Sequence, residues 1–144
     1  ARAHNQNYIE ECSACHFAYP PGLLPARSWK KIMENLGDHF GDNAEVDKTT
    51  GNEISRFLSE NSADTASYRR SKKLMRSIAE SDVPLRITEL KYFKHEHDEI
   101  PNHVGKNNPR VQSLSNCDAC HKEAAKGSFR EREINIPGFG RWDD

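Results

Sequence analysis

All four cysteines of this 144-residue chain belong to two copies of one five-residue pattern. The first copy is Cys12-Ser13-Ala14-Cys15-His16, and the second is Cys117-Asp118-Ala119-Cys120-His121. On a helix, the first, fourth and fifth positions of this pattern share one face. Two thiols can then form thioethers with the vinyl groups of a haem while the adjacent imidazole reaches the iron. The pattern is the attachment signature of c-type haem, so the sequence predicts two covalently bound haem c groups.

Paired cysteines have two other common uses. Two Cys-x-x-Cys pairs can bind one zinc ion, and each pair can close a disulfide. However, 101 residues separate Cys15 from Cys117, far more than the spacing of zinc ribbons, and neither use explains the histidine after each second cysteine. We therefore predict that six residues attach the haems and supply the first ligand of each iron. They are Cys12, Cys15 and His16, and Cys117, Cys120 and His121.

The composition favours a fold built around a cofactor. Only 35% of the residues are apolar and 30% are charged, which leaves little side chain for a core. A formal net charge of −1 argues against a nucleic-acid partner, which needs a basic face. No apolar run approaches the roughly 18–20 residues that span a bilayer, so we expect a soluble protein. The opening residues 1–4, Ala-Arg-Ala-His, are typical of a mature N-terminus left after removal of a signal peptide.

Each iron has a second axial position opposite the motif histidine. The residue that occupies this position determines whether the haem acts as an electron carrier or as a catalyst. For the first haem, residues 28–40 read as a helix with Ser28 as its N-cap and Gly41 as its stop. His39 lies on the apolar stripe of this helix, where an imidazole without a partner would be costly. We predict that His39 ligates the first iron. Met33, on the same face, is the alternative.

For the second haem, the candidate ligands follow residue 87. The apolar residues of the stretch 87–100 recur in steps of three and four, and His97 falls in the same series. His95 falls on a more polar face, and His103 follows Pro101 on a loop. We predict that His97 ligates the second iron, with His95 and His103 as alternatives.

Helical patterns separated by long irregular loops predict an all-α fold. A helix that begins after Gly51 fades in the polar stretch 59–64, which we take as the boundary between two small haem-binding domains, residues 1–64 and 65–144. The tail from residue 134 onward is irregular, and its apolar residues could fold back over a haem. Nothing in the chain has strong strand alternation.

The proline-rich segment 19–25 follows the first motif closely. Its prolines remove competing N–H donors and hold the chain extended. A ligating histidine usually donates its other N–H to a carbonyl or carboxylate. We therefore predict that a carbonyl of this segment accepts the Nδ1 proton of His16, and that Leu23 or Leu24 packs on the first porphyrin.

Taken together, these motifs resemble the bacterial diheme cytochrome c family over nearly the whole chain. The matching residues are Cys12-Ser-Ala-Cys-His16, Tyr19-Pro-Pro-Gly-Leu-Leu-Pro25, Trp29, His39-Phe-Gly41, Leu85-Arg-Ile-Thr88, His97, Cys117-Asp-Ala-Cys-His121 and Ile136-Pro137. The resemblance implies a periplasmic carrier with two low-potential haems in two mainly helical domains, the first similar to a class I cytochrome c. It also implies the ligand pairs His16 with His39 and His121 with His97, and an oxygen-binding monohaem cytochrome c as redox partner.

One-electron transfer is the function that these features favour. Two axial imidazoles leave no open position on the iron, and the methionine thioether that raises the potential in other cytochromes c is absent. In bacteria, haem is attached to such motifs outside the cytoplasmic membrane, which indicates the periplasm. We expect a monomer without enzymatic activity. The alternatives are a small peroxidase-like dihaem enzyme and a haem-based sensor with one open or replaceable axial position.

Overall fold

Short helices joined by long loops make up most of the chain in a computed structural model, which describes residues 4–142. The α-helices are α1 (Gln6–Cys12), α2 (Ala26–Glu34), α3 (Lys48–Glu60), α4 (Arg69–Arg76) and α5 (Lys91–His97). Single 3₁₀ turns lie at Pro21–Leu23, Leu36–Asp38, Ile87–Glu89, Cys117–Ala119, Ala124–Lys126 and Glu131–Glu133. Two short strands, β1 (Asn135–Ile136) and β2 (Gly140–Arg141), pair antiparallel. The prediction of a mainly helical fold is confirmed, whereas the strands were not foreseen.

Two of the helices begin at residues whose side chains cap them. The Asn5 side chain accepts a hydrogen bond from the Tyr8 backbone N–H at 3.0 Å, at the start of α1. Asp47 accepts from the backbone N–H of Thr50 at 2.9 Å, at the start of α3. Each cap satisfies a backbone donor that has no partner within the helix. Because Asp47 is the cap, α3 begins before Gly51, where the sequence placed its start.

The second helix is shorter than predicted. It covers Ala26–Glu34 and not residues 28–40, and Ser28 is buried inside it and does not cap it. Asn35 ends it, because its side-chain amide donates to the Lys31 carbonyl at 2.9 Å and so competes with the continuing helix. The chain then makes the 3₁₀ turn Leu36–Asp38 before it reaches the first candidate distal histidine.

The buried core draws on the first four helices and on loop residues that lie between α1 and α5. It consists of Tyr8, Leu24, Trp29, Ile54, Leu58, Ala63, Leu74 and Leu90, with α2 packed against α3. Leu74 and Leu90 follow residue 64 in the sequence, so apolar packing continues across the predicted domain boundary. The division into domains at that residue stays a prediction.

Two backbone carbonyls of the proline-rich segment 19–25 accept hydrogen bonds from buried side chains. The indole N–H of Trp29 donates to the Pro21 carbonyl at 2.8 Å. The Ser71 hydroxyl of α4 donates to the Gly22 carbonyl at 2.8 Å. The segment is therefore a junction between α2 and α4. Among the helices of residues 4–142, none is long and apolar enough to cross a membrane.

The opening residues 1–3, on which the expectation of a mature N-terminus rests, lie outside the described residues.

Candidate haem sites

The first cysteine motif lies at the end of a helix. Cys12 is the last residue of α1, and the remainder of the motif follows in a turn, so the motif does not lie on one helix as its spacing suggested. Ser13 ends α1 because both its N–H and its hydroxyl donate to the Ile9 carbonyl. Burial, with a smaller effect from the Glu11 carboxylate, raises the pKa of the Cys12 thiol to about 11, whereas Cys15 is exposed.

The ring of His16 is fixed by a backbone carbonyl, although a different one from that predicted. Its Nδ1 lies 2.7 Å from the Phe17 carbonyl, so Nδ1 carries the proton and the lone pair of Nε2 is available for a metal. The carbonyl of Pro21 in the segment 19–25 binds Trp29 instead. Leu24 lies in the core and Leu23 lines the second site, and the packing of either leucine on the first porphyrin stays a prediction.

His39 reaches the first site from a tight turn. Its backbone N–H and carbonyl both pair with Asp42, at 2.7 and 3.1 Å, and the two residues between them, Phe40 and Gly41, have φ of 53° and 94°. A two-residue loop with two positive φ angles is the geometry of a type I′ turn. The imidazole thereby projects toward His16. Burial, followed by the His16 charge, lowers the pKa of His39.

The two rings of the first site are spaced as two ligands of one iron would be. The ring centres of His16 and His39 lie 6.2 Å apart, with 34° between the ring planes. A metal–imidazole bond of about 2.0 Å and a centre about 1.1 Å from each ring atom would place two opposed ligands about 6.2 Å apart. The residues present therefore fit a haem iron between them. Met33, the alternative ligand, packs against the hydrophobic core.

The second motif forms a 3₁₀ turn, Cys117–Ala119. Asn116 precedes it but does not cap it with its side chain, which donates to the Val111 carbonyl at 2.7 Å. The Asn135 N–H donates to the Cys120 carbonyl at 2.9 Å, which joins the motif to the start of β1. Burial raises the pKa of the Cys117 thiol to about 12.

His97, the last residue of α5, faces His121 at the second site. Their ring centres lie 6.2 Å apart, with 78° between the planes. The Nδ1 of His97 is 2.7 Å from the Phe93 carbonyl, one turn back along α5. Burial, more than the neighbouring His97 and Arg70 charges, lowers the pKa of His121 to about 4 and keeps its imidazole neutral.

The His121 ring differs from those of His16 and His97, which each have a carbonyl partner at Nδ1. Its Nδ1 is buried and has no hydrogen-bond partner among the described residues, which would be costly for a polar atom left in an apolar site. The other histidines considered for this site lie elsewhere. His95 is exposed, and the ring of His103 contacts Phe139 at 5.8 Å.

A cavity of about 230 Å³ adjoins the second histidine pair. His97, His121, Cys117 and Cys120 line it, together with apolar side chains from distant parts of the chain. These include Leu23, Leu74, Leu90, Phe129, Ile136 and Trp142. Ile136 and Trp142 belong to the tail that we expected to fold over a haem, whereas Phe139 of that tail is 52% exposed.

The cysteines do not form a metal site of their own. Within residues 4–142, no group of three or more His, Cys, Asp or Glu side chains is placed to hold a metal ion, and no disulfide joins the four cysteines. The single zinc site and the disulfides considered from the sequence therefore have no counterpart in the geometry.

Comparison with known proteins identifies what these sites hold. The sequence matches the family model of the dihaem cytochromes c over residues 8–129. The chain belongs to the dihaem cytochrome c family. As a member, it carries two covalently bound haem c groups and transfers electrons.

Solved structures of dihaem cytochromes c are similar over nearly the whole chain. The diheme cytochrome c of Shewanella baltica OS155 is 42% identical, with a TM-score of 0.80 over 96% of this chain and 98% of the other. That of Rhodobacter sphaeroides is 40% identical, with a TM-score of 0.79 over 89% of this chain and 98% of the other. Among curated proteins, no sequence matches significantly.

At each haem site of this dihaem cytochrome, an arginine lies over a phenylalanine ring that contacts one histidine edge-on. Arg70 lies 4.8 Å from the centre of the Phe129 ring, which contacts His121 at 5.2 Å.

At the other site, Arg86 lies 4.2 Å from the centre of the Phe40 ring, which contacts His39 at 4.8 Å. The two arginines and Phe129 were not predicted as site residues, and Leu23 was predicted to pack on the first porphyrin, not to line the second cavity. Arg70, Arg86 and Leu23 come from segments far from the site residues that they approach, so no local pattern in the sequence marks them, whereas Phe129 follows the second motif closely in the sequence.

Proposed function

We propose that this dihaem cytochrome is a low-potential one-electron carrier of the periplasm in which two histidines ligate each iron. The ligand pairs are His16 with His39 and His97 with His121. The observation that carries the proposal is the spacing of 6.2 Å between the ring centres in both pairs. With both axial positions taken by imidazole, neither iron has a position for a substrate.

Two features of the chain support a low potential. Within residues 4–142, Met33 and Met75 pack against the hydrophobic core, and a thioether ligand is what raises the potential in other cytochromes c. The Nδ1 of both His16 and His97 donates to a backbone carbonyl at 2.7 Å. Such a bond raises the basicity of the ligating nitrogen, and a stronger donor favours the ferric state over the ferrous state.

The proposed ligands divide between two halves of the chain, residues 1–64 and 65–144. The first half contributes Cys12, Cys15, His16 and His39, and the second contributes Cys117, Cys120, His97 and His121. In each half the thioether-forming cysteines hold the haem and the histidines hold its iron. When bound, haem c supplies an iron that changes between ferric and ferrous states by one electron.

The proposed partner is another redox protein, an oxygen-binding monohaem cytochrome c of the kind associated with this family. The proposed location is the periplasm, where bacteria attach haem to such motifs, and the proposed state is a monomer. Fractionation of the native bacterium and stopped-flow mixing of the reduced protein with the oxidised partner would test location and partner separately.

The absorption spectrum of the holoprotein tests the proposed ligation. We expect low-spin bands in the oxidised form and no carbon monoxide binding in the reduced form, because both irons are six-coordinate. High-spin bands, or carbon monoxide binding to one haem, would point to a peroxidase-like enzyme or to a sensor with a replaceable ligand.

Alanine variants of the candidate ligands assign the irons. We expect His39→Ala and His97→Ala each to convert one haem to a high-spin form, because each removes an axial ligand. His95→Ala is the matched control, since His95 is exposed on the same helix two residues before His97. A high-spin haem in the His95 variant together with unchanged spectra in the His97 variant would exchange the two assignments.

A further inference from the structure

Tyr19 lies between the two haem sites and contacts both. Its ring stacks on the ring of His16, with centres 5.2 Å apart and 29° between the planes. Its hydroxyl donates to the carbonyl of Ser115 at 3.0 Å, across 96 residues of sequence. The Sγ of Cys117 lies 3.6 Å from that same carbonyl. One side chain therefore connects the proximal histidine of the first motif to the first cysteine of the second.

The surroundings of Tyr19 hold it in this position. The buried Tyr8 hydroxyl donates to the Tyr19 carbonyl at 2.5 Å, and the Phe17 ring packs edge-on against the Tyr19 ring at 5.5 Å. Burial raises the pKa of Tyr19, so its hydroxyl keeps its proton and remains a donor. Backbone, ring and hydroxyl are each fixed by a separate contact.

We propose that Tyr19 provides the path by which the two haems exchange an electron. The proposal rests on the proposed ligation of the first iron by His16. The path runs from the His16 ring through the stacked Tyr19 ring and its hydroxyl to the Ser115 carbonyl, and from there to Cys117, whose thioether sulfur is bonded to the second haem.

The exchange along this path is a balanced one-electron step. One electron leaves ferrous iron at one site, which becomes ferric, and ferric iron at the other site accepts it and becomes ferrous. No outside oxidant or reductant is needed, no proton moves, and Tyr19 is not itself oxidised. Electron tunnelling decays more steeply across a gap than along bonded or closely packed atoms, so a stacked ring and a hydrogen bond in the gap make the exchange faster.

A merely structural role for Tyr19 predicts a different outcome. If Tyr19 only ties the two halves together, removal of its hydroxyl lowers stability but leaves the exchange rate unchanged in protein that is still folded. The decisive quantity is therefore the rate of electron exchange between the haems, measured together with both potentials so that a change in driving force can be recognised.

Tyr19→Phe in the holoprotein tests the proposal, because it keeps the stacked ring and removes only the hydrogen bond to Ser115. Exchange between the haems is measured by NMR exchange spectroscopy on half-reduced samples. We expect a several-fold slower exchange at nearly unchanged potentials. Tyr68→Phe, which removes a hydroxyl from a side chain that is 46% exposed, is the matched control and should retain the wild-type rate.

Tyr19→Met adds a second variant that retains an apolar side chain but lacks the ring. We expect it to be slower than Tyr19→Phe, and a wild-type exchange rate in either folded variant overturns the proposal. Oxidised spectra of wild type and variants keep this result separate from the ligand assignment. High-spin bands in the wild type would contradict the proposed ligation, whereas low-spin bands with an unchanged rate contradict the Tyr19 path alone.

Discussion

At the scale of single residues, the two sites share the same arrangement of arginine, phenylalanine and histidine, yet the arginines differ in how far their charge is screened. The side chain of Arg86 is 53% exposed and lies 3.9 Å from the Glu89 carboxylate. Arg70 is partly buried and lines the cavity of the second site. A positive charge near an iron favours its ferrous state, and water and a nearby carboxylate weaken this effect.

We therefore expect Arg70→Gln to lower the potential of the second haem, and Arg86→Gln to lower that of the first haem by less. At an effective dielectric constant of about 20, a unit charge roughly 10 Å away contributes about 1.7 kcal/mol, or about 70 mV for one electron, before screening by salt. Redox titration of both variants measures the shifts, and each variant is the control for the other haem. A larger effect of the exposed Arg86 would contradict the argument from screening.

At the scale of elements, the turn at residues 39–42 places the candidate distal histidine of the first site. Gly41 has φ of +94°, a conformation that costs other residues energy, and a Cβ added there would meet nothing within 4 Å. The effect of a substitution at this position is therefore backbone strain alone.

Gly41→Ala should lower the free energy of unfolding of the holoprotein by about 1 kcal/mol. Gly37→Ala is the matched control. It lies in the neighbouring 3₁₀ turn without a positive φ, and its added Cβ would make only ordinary contacts with Glu45, at 3.5 Å or more. We expect its effect to stay within about 0.5 kcal/mol. Guanidinium unfolding measures both variants, and equal losses would mean that the turn conformation is not the cause.

This turn also shows how far the sequence could predict the elements. His39 was predicted as a ligand because the pattern placed it on the apolar stripe of one long helix, but α2 ends at Glu34. The spacing of apolar residues continues past Glu34. The Asn35 side chain donates to the Lys31 carbonyl and so competes with the backbone hydrogen bonds of a longer helix. The spacing of apolar residues gives no sign of such a bond. The cysteine motifs were expected on helices from their spacing alone. The same spacing fits the end of a helix or a 3₁₀ turn equally well.

What the sequence could not predict are the contacts between segments distant in the chain. The all-α class and the haem motifs follow from local spacing. By contrast, the contact of Tyr19 with Ser115 and the place of Leu23 in the second cavity depend on tertiary packing. A single sequence carries no signal for such pairs, because each residue by itself is an ordinary loop residue.

At the scale of the whole molecule, the two haem-binding halves share one core. Leu74 of α4 is 1% exposed, packs in the same cluster as Trp29 and Ile54, and also lines the second cavity. The Arg27 guanidinium adds polar contacts across the predicted boundary, since it donates to the carbonyls of Ala79 and Asp82 at 3.0 and 2.6 Å. Packing of this extent leads us to expect that the halves unfold together.

Leu74→Ala tests this expectation, because it removes apolar contacts from the core and from the second site at once. We expect a loss of about 2–5 kcal/mol in the free energy of unfolding, as for other fully buried leucines, with the NMR signals of both oxidised haems disappearing at the same denaturant concentration. Lys72→Ala, at an exposed position of the same helix, should change the free energy of unfolding by less than about 0.5 kcal/mol. Two separate transitions, with only the second haem affected by Leu74→Ala, would instead mean that residues 1–64 and 65–144 fold as independent domains.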